Sequence, residues 1–144
     1  VATAITNRKD LPDYAKATAS RIELLGFTWK FIEDSRLADT ARRVQVRNID
    51  ALAPPREVAR YAQALKRGDV MPPVIISRDG YLVDGNTRTE AAHRANWTYF
   101  PAFRLEENVE NAPDALMKRF ITLGAANNLT HGRGMSRQEV ENVI

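Results

Sequence analysis

The stretch from Val74 to Ala92 narrows the fold of this chain more than any other. Val74-Ile75-Ile76-Ser77 and Tyr81-Leu82-Val83-Asp84 are two short apolar runs joined by Arg78-Asp79-Gly80. Asp-Gly between such runs signals a tight hairpin turn. Gly85 follows at once, and a short helix is predicted from Thr87 to about Ala95, with Asn96 able to end it in a left-handed conformation. A strand that becomes a helix across one glycine presents backbone N–H groups at the positive end of the helix dipole. Here it also places Arg88 in the first turn. Such a junction suits an anion, phosphate above all. The same residues also suit a tight bend in which Arg88 is a solvated surface charge, because a short glycine motif carries both readings. Asp84 either caps the helix or braces the turn.

Composition sets the outer bounds. The 144 residues suit one domain, with room for an appendage. The chain has no Cys, which excludes disulfides, thiolate metal sites and thiol catalysis within it. No apolar run approaches the ~20 residues that span a bilayer, and no secretory signal is visible, so the expected setting is cytoplasmic, without a membrane partner. The net charge of +3 is carried mainly by Arg, which grips phosphate in bidentate fashion. This fits a polyanion partner and equally fits an ordinary, weakly basic surface.

Periodicity supplies the remaining elements. A helix is expected to start near Asp10, with Pro12 in its first turn, and to bury Tyr14, Thr18, Ile22 and Leu25 before stopping at Gly26. Phe27–Ile32 reads as a strand, and Glu33–Arg43 as a loop or short helix. Val58, Tyr61, Ala62 and Leu65 form the apolar stripe of a second helix that ends at Gly68. Pro72-Pro73 forces an extended approach to the hairpin. Thr98–Leu105 is a strand whose Pro101 favours an edge position or a break. A further helix starts around Pro113, with Leu116, Phe120 and Leu123 on one face and Asn111 as its cap. Ser136-Arg137-Gln138-Glu139 is a capping box opening another helix, and the sequence stops inside it at Ile144. The expected fold class is α/β (α+β), with a small mixed sheet flanked by helices.

From about Val44 to Glu139 the order of these elements resembles the N-terminal domain of ParB-type partition proteins, within the ParB/sulfiredoxin-like superfamily. The residues that carry the resemblance are Val44-Gln45-Val46 followed by Ile49-Asp50-Ala51-Leu52, the helix from Glu57 to Arg67, Gly68 through Ile76, the hairpin with Asp84-Gly85-Asn86-Thr87-Arg88, the Thr98–Leu105 strand, and Asn127-Asn128-Leu129-Thr130-His131-Gly132. Three parts are expected, the first of which lies outside the resemblance. Residues 1–43 form an N-terminal extension of helix plus strand packed on the core. Residues 44–134 form a ParB-like nucleotide-binding domain. Residues 135–144 begin a C-terminal helical region of helix-turn-helix type. The resemblance implies a nucleoside triphosphate ligand, CTP or ATP, with Mg²⁺. By position, Gly85, Asn86, Thr87 and Arg88 would hold the phosphates, while Asn127, Asn128 and His131 would assist the nucleotide or the cation. DNA would be bound through a region beyond residue 144, and a homodimer is compatible with the resemblance.

The chain departs from the usual ParB pattern in two places. Asn86 and Thr87 stand where ParB turns carry Glu and a second Arg, and Asn127 stands where a Glu is expected. A neutral amide is a poorer ligand for Mg²⁺ than a carboxylate. Asn127 and Asn128 also suit a helix C-cap, and His131 suits a surface loop. His93, on the helix after the turn, is expected to pack or cap. No residue is assigned a catalytic role, and weak nucleoside triphosphatase activity is left open. Sulfiredoxin chemistry is excluded because its turn Cys is Asn86 here. The expected function is a nucleotide-binding regulatory domain of a DNA-binding partition or transcription-control protein. The alternatives are a metal-dependent ParB-like DNase and a ParB-fold interaction module that binds no nucleotide.

Overall fold

The computed structural model describes residues 3–40, 42–43 and 54–130. Val44–Val46, Ile49–Leu52, His131 and the 135–144 helix therefore lie outside the described residues. Among the described residues the helices are α1 (Asp13–Leu24), α2 (Pro55–Lys66), α3 (Asn86–Arg94) and α4 (Asp114–Thr130). The strands are β1 (Trp29–Arg36), β2 (Arg42–Arg43), β3 (Val74–Ile76), β4 (Tyr81–Asp84) and β5 (Tyr99–Leu105). The strands form one mixed sheet in the order β1-β5-β3-β4-β2. β5 is antiparallel to β1 and parallel to β3, β3 and β4 make the antiparallel hairpin, and β2 runs parallel to β4. The fold is α/β, a small mixed sheet flanked by helices. No helix among the described residues is long and apolar enough to cross a membrane.

Alternation along the strands sorts the apolar side chains into two cores, one on each face of the sheet. Val74, Ile76, Leu82, Phe100 and Ala102 pack beneath Val58, Ala62 and Leu65 of α2 and Ala91 and Ala92 of α3. Ile75, Val83, Phe31, Phe103 and Leu105 face the other way, against Ala15, Ala19 and Ile22 of α1 and Phe120 and Leu123 of α4. β3 therefore reads as a continuous apolar run, buried at all three positions, because both of its faces are covered. Arg119 of α4 donates through Nε to the Leu25 carbonyl at 2.8 Å and lies over the Phe27 ring, which ties α4 to the end of α1.

One sequence expectation changes and another narrows. The first strand begins at Trp29 rather than Phe27 and runs on to Arg36, through residues expected to form a loop or short helix, and a short helical turn follows only at Leu37–Thr40. β1 is an edge strand, so Glu33 and Asp34 remain in water while β5 supplies partners for Ser35 and Arg36. Pro101 also sits in an interior strand rather than at an edge, and of the two expectations for it, an edge position or a break, the ladder shows the break. The ladder accommodates the missing N–H on both sides. The β1 register shifts between Ile32 and Ser35, opposite Pro101, and the parallel pairing with β3 begins only at Ala102.

The hairpin turn is locked from outside. The Asp79 carboxylate accepts from Ser77 Oγ at 2.6 Å and from the backbone N–H groups of Val109 and Glu110 at 3.0 and 2.9 Å. Burial works against this charge, but the hydrogen bonds outweigh it and hold the carboxyl below its usual range. The unfolded chain therefore takes up the proton first as the pH falls. The stability due to Asp79 is complete above about pH 5 and is lost as pH drops through the lowered folded-state value. Asp79→Ala should cost about 1–2 kcal/mol at neutral pH in urea unfolding, and the deficit should shrink as the pH is lowered below about 4.

Candidate functional site

The Gly85 turn is built as the hairpin and helix patterns require. Gly85 has φ +112°, a left-handed conformation, and it opens α3 with no side chain capping the first turn. The space around it is closed: a Cβ placed on Gly85 would lie 2.3 Å from Val74 Cγ1. Glycine is required here twice over, by dihedral angle and by the approach of β3. Asn86, Thr87 and Arg88 follow as the first three residues of α3, so all four residues of the predicted phosphate turn are brought together. Asn96 has φ +64° and ends the helix as expected. His93 is exposed in the last turn of α3 and packs into neither core.

Arg88 is not the solvated surface charge of the alternative reading. Its side chain is 8% exposed, and that of Asp84 only 2%. The Nη2 atom of Arg88 donates to Asp84 Oδ2 at 2.8 Å and to the Pro73 carbonyl at 3.2 Å. Arg88 thus reaches back under the turn, four residues along the chain, and clamps the end of β4 to the segment that leads into β3. Arg88 Nε is buried without a hydrogen-bond partner, as is the neighbouring Thr89 Oγ1. Burial pushes the Asp84 carboxyl above its ordinary value, while Arg88, Arg21 and the Gly85 N–H draw it back. Asp84 therefore braces the turn.

Arg21 is the member of this group that sequence reading passed over. It lies in the last turn of α1, far along the chain, and its charge acts on both Asp84 and Arg88. Nothing in the local sequence around Gly85 signals it. The Asp84–Arg88 pair is local, four residues apart across the strand-to-helix turn. Asn127 and Asn128 fall in the final turn of α4, a helix that packs on β4, and their side chains lie outside the described residues. Among the described residues no cluster of three or more His, Asp or Glu side chains is placed to hold a metal ion.

The arrangement can offer an anion the dipole and backbone donors of α3, with a guanidinium behind them that is already anchored by a carboxylate. No protein-family model matches the chain, and no characterised protein matches it. The resemblance to ParB-type domains therefore rests on the motif residues of the sequence.

Removing Arg88 alone strands the Asp84 carboxylate in a buried site. Arg88→Met should cost about 3–5 kcal/mol in chemical unfolding. Asp84→Asn combined with Arg88→Met should recover most of that loss, because a buried ion pair replaced by neutral groups is often tolerated. Equal destabilisation by the single and double variants would show that the pair is not the source. Gly85→Val should cost about 2–4 kcal/mol, combining left-handed strain with the collision against Val74. A melting temperature equal to that of the parent would contradict the geometry at Gly85.

Proposed function

We propose that this chain is a ParB-like nucleotide-binding regulatory domain of a DNA-binding partition or transcription-control protein, and that the Gly85–Arg88 turn receives the phosphates. The observation that carries this reading is the left-handed Gly85 opening an uncapped α3 directly over a buried guanidinium. Phosphate oxygens would accept from the first-turn N–H groups, where the helix dipole favours negative charge. Arg88 Nε, buried without a partner, is the cationic donor that such a ligand would satisfy. The ligand on this reading is CTP or ATP. Mg²⁺ would travel with its phosphates and add the positive charge that the turn lacks at Thr87; no described side chain is assigned to the ion. Asn127, Asn128 and His131 belong to the proposal as residues that assist the nucleotide or the cation, on the strength of the resemblance. Their contact with the ligand would couple the end of α4 to the turn and so pass the bound state to a DNA-binding region.

One observation favours a second reading. Arg88 Nη2 is already held by Asp84 and the Pro73 carbonyl, so the guanidinium also serves as a structural brace. On this reading the turn binds nothing, and the domain is a ParB-fold interaction module.

Calorimetric titration with CTP, ATP, GTP and UTP in the presence of Mg²⁺ separates the two. The nucleotide-binding reading expects saturable heat with one or more of the four. It also expects affinity to fall about tenfold or more in the folded Asp84→Asn, Arg88→Met double variant, since a charge-assisted hydrogen bond is worth about 1.5–3 kcal/mol. Absence of heat with all four nucleotides, or unchanged affinity in the double variant, would favour the brace.

A further inference from the structure

A concave site lies apart from the Gly85 turn and shares no residue with it. It is a cleft of about 220 Å³ between α1, β1, the loop after α2 and the start of β5. Tyr14, Met71, Trp97 and Phe100 form its apolar walls, and Glu33 and Asp69 supply its charge. The cleft exists because of the irregular ladder at Pro101: the β1 register shift displaces Glu33 and Asp34 opposite that residue, and Pro101 itself lines the space. Trp97 is 37% exposed and Val70 is 71% exposed, so the apolar surface continues beyond the cavity.

The charges in this cleft run against those of the whole chain. The net charge is +3, yet the lining carries two carboxylates and no Lys, Arg or His. Glu33 Oε2 accepts from the Tyr14 hydroxyl at 3.1 Å. Burial, then the Glu33 charge and this hydrogen bond, push the Tyr14 hydroxyl up to about 12, so it remains a donor that orients Glu33. Asp69 accepts from Arg67 Nη2 at 2.8 Å on the exposed rim. The Trp97 and Phe100 rings lie 5.8 Å apart and tilted by 43°. Aromatic faces beside carboxylates match a planar cation, because the guanidinium stacks on a ring while its N–H fork reaches a carboxylate. An anion would meet the Glu33 carboxylate, with Asp69 already paired to Arg67 on the rim, which separates this cleft from the proposed phosphate turn.

We infer that the cleft formed by Tyr14, Glu33, Asp69, Met71, Trp97 and Phe100 binds an arginine side chain presented by a partner peptide. The arginine enters between Trp97 and Glu33, and apolar residues beside it in the peptide cover Val70 and the exposed edge of Trp97. This inference is independent of nucleotide binding, and a failure at the Gly85 turn leaves it standing.

The test is ¹⁵N-edited NMR on the full chain, read at the Trp97 indole N–H and the Val70 amide. The probe is a blocked Gly-Val-Arg-Val-Gly peptide, compared with the same peptide carrying citrulline and with arginine amide alone. The expected result is saturable shifts at Trp97 and Val70 with the arginine peptide, weaker binding of arginine amide, and no saturable shifts with the citrulline peptide. Glu33→Gln keeps an acceptor for Tyr14 and should leave the melting temperature unchanged while weakening the peptide about fivefold. Trp97→Ala should weaken it to a similar degree, about fivefold, through loss of the cation–π contact. Equal affinity for the citrulline peptide would overturn the guanidinium assignment, and equal affinity for arginine amide would overturn the peptide partner. Shifts confined to other residues, no saturable response, or unchanged affinity in folded Glu33→Gln would each overturn the site. Shifts at Trp97 that grow with protein concentration without peptide would assign the cleft to a second copy of this chain.

Discussion

A carboxylate and a guanidinium buried together at the end of β4 set the terms for the rest of the structure. Charges withdrawn from water are costly unless paired in good geometry. Asp84 and Arg88 meet at 2.8 Å. That pairing requires α3 to begin immediately after β4, which in turn requires a left-handed residue between them. The side chain at that residue must vanish because Val74 occupies the space a Cβ would take. Gly85 is therefore fixed by the strand beside it, and the strand is held by the Arg88 contact to the Pro73 carbonyl. The hairpin, the turn and the helix are thus one interlocked unit rather than three successive elements.

The two cores explain why the front of the chain matters to this unit. One face of the sheet is covered by α2 and α3, which are close in sequence to the hairpin and the turn. The other face is covered by α1 and α4, which arrive from opposite ends of the described chain. α1 brings Arg21 into the field of Asp84 and Arg88 while burying Ala15, Ala19 and Ile22 on the shared core. Arg88 and Arg21 both act on the buried Asp84 carboxyl and offset part of the rise that burial imposes on it. The contacts that brace the turn are the same ones the proposed phosphate site would draw on.

The region around Pro101 shows the opposite strategy, in which an interruption is retained. A proline inside a sheet removes one ladder bond, and the edge strand answers with a register shift opposite it. The displaced segment carries Glu33 to the side of Tyr14, and the local opening becomes an aromatic, acidic cleft. The regular end of the ladder, from Trp29 to Phe31, buries its aromatic side chains on Phe103 instead. One strand pair thus supplies both a rigid core and a recess.

Much of this was legible in the sequence by itself. The hairpin with Asp79-Gly80 at its tip, the strand-to-helix switch at Gly85, the stop at Asn96 and the apolar stripes of α2 and α4 all follow from local rules of spacing, turn chemistry and periodicity. Those rules act within a few residues, so a single chain displays them. The extent of β1 was decided by tertiary structure, because its charged residues are tolerated only on an edge strand paired with β5. The interior place of Pro101 was decided the same way, since it depends on a bulge in another strand. Arg88 is the sharpest case. Its position in the first turn of α3 and its closeness to Asp84 four residues back are local, but its contact with the Pro73 carbonyl and the presence of Arg21 nearby arise from packing between segments more distant along the chain. Local sequence determines which groups are available; only the packed structure decides which of them face water.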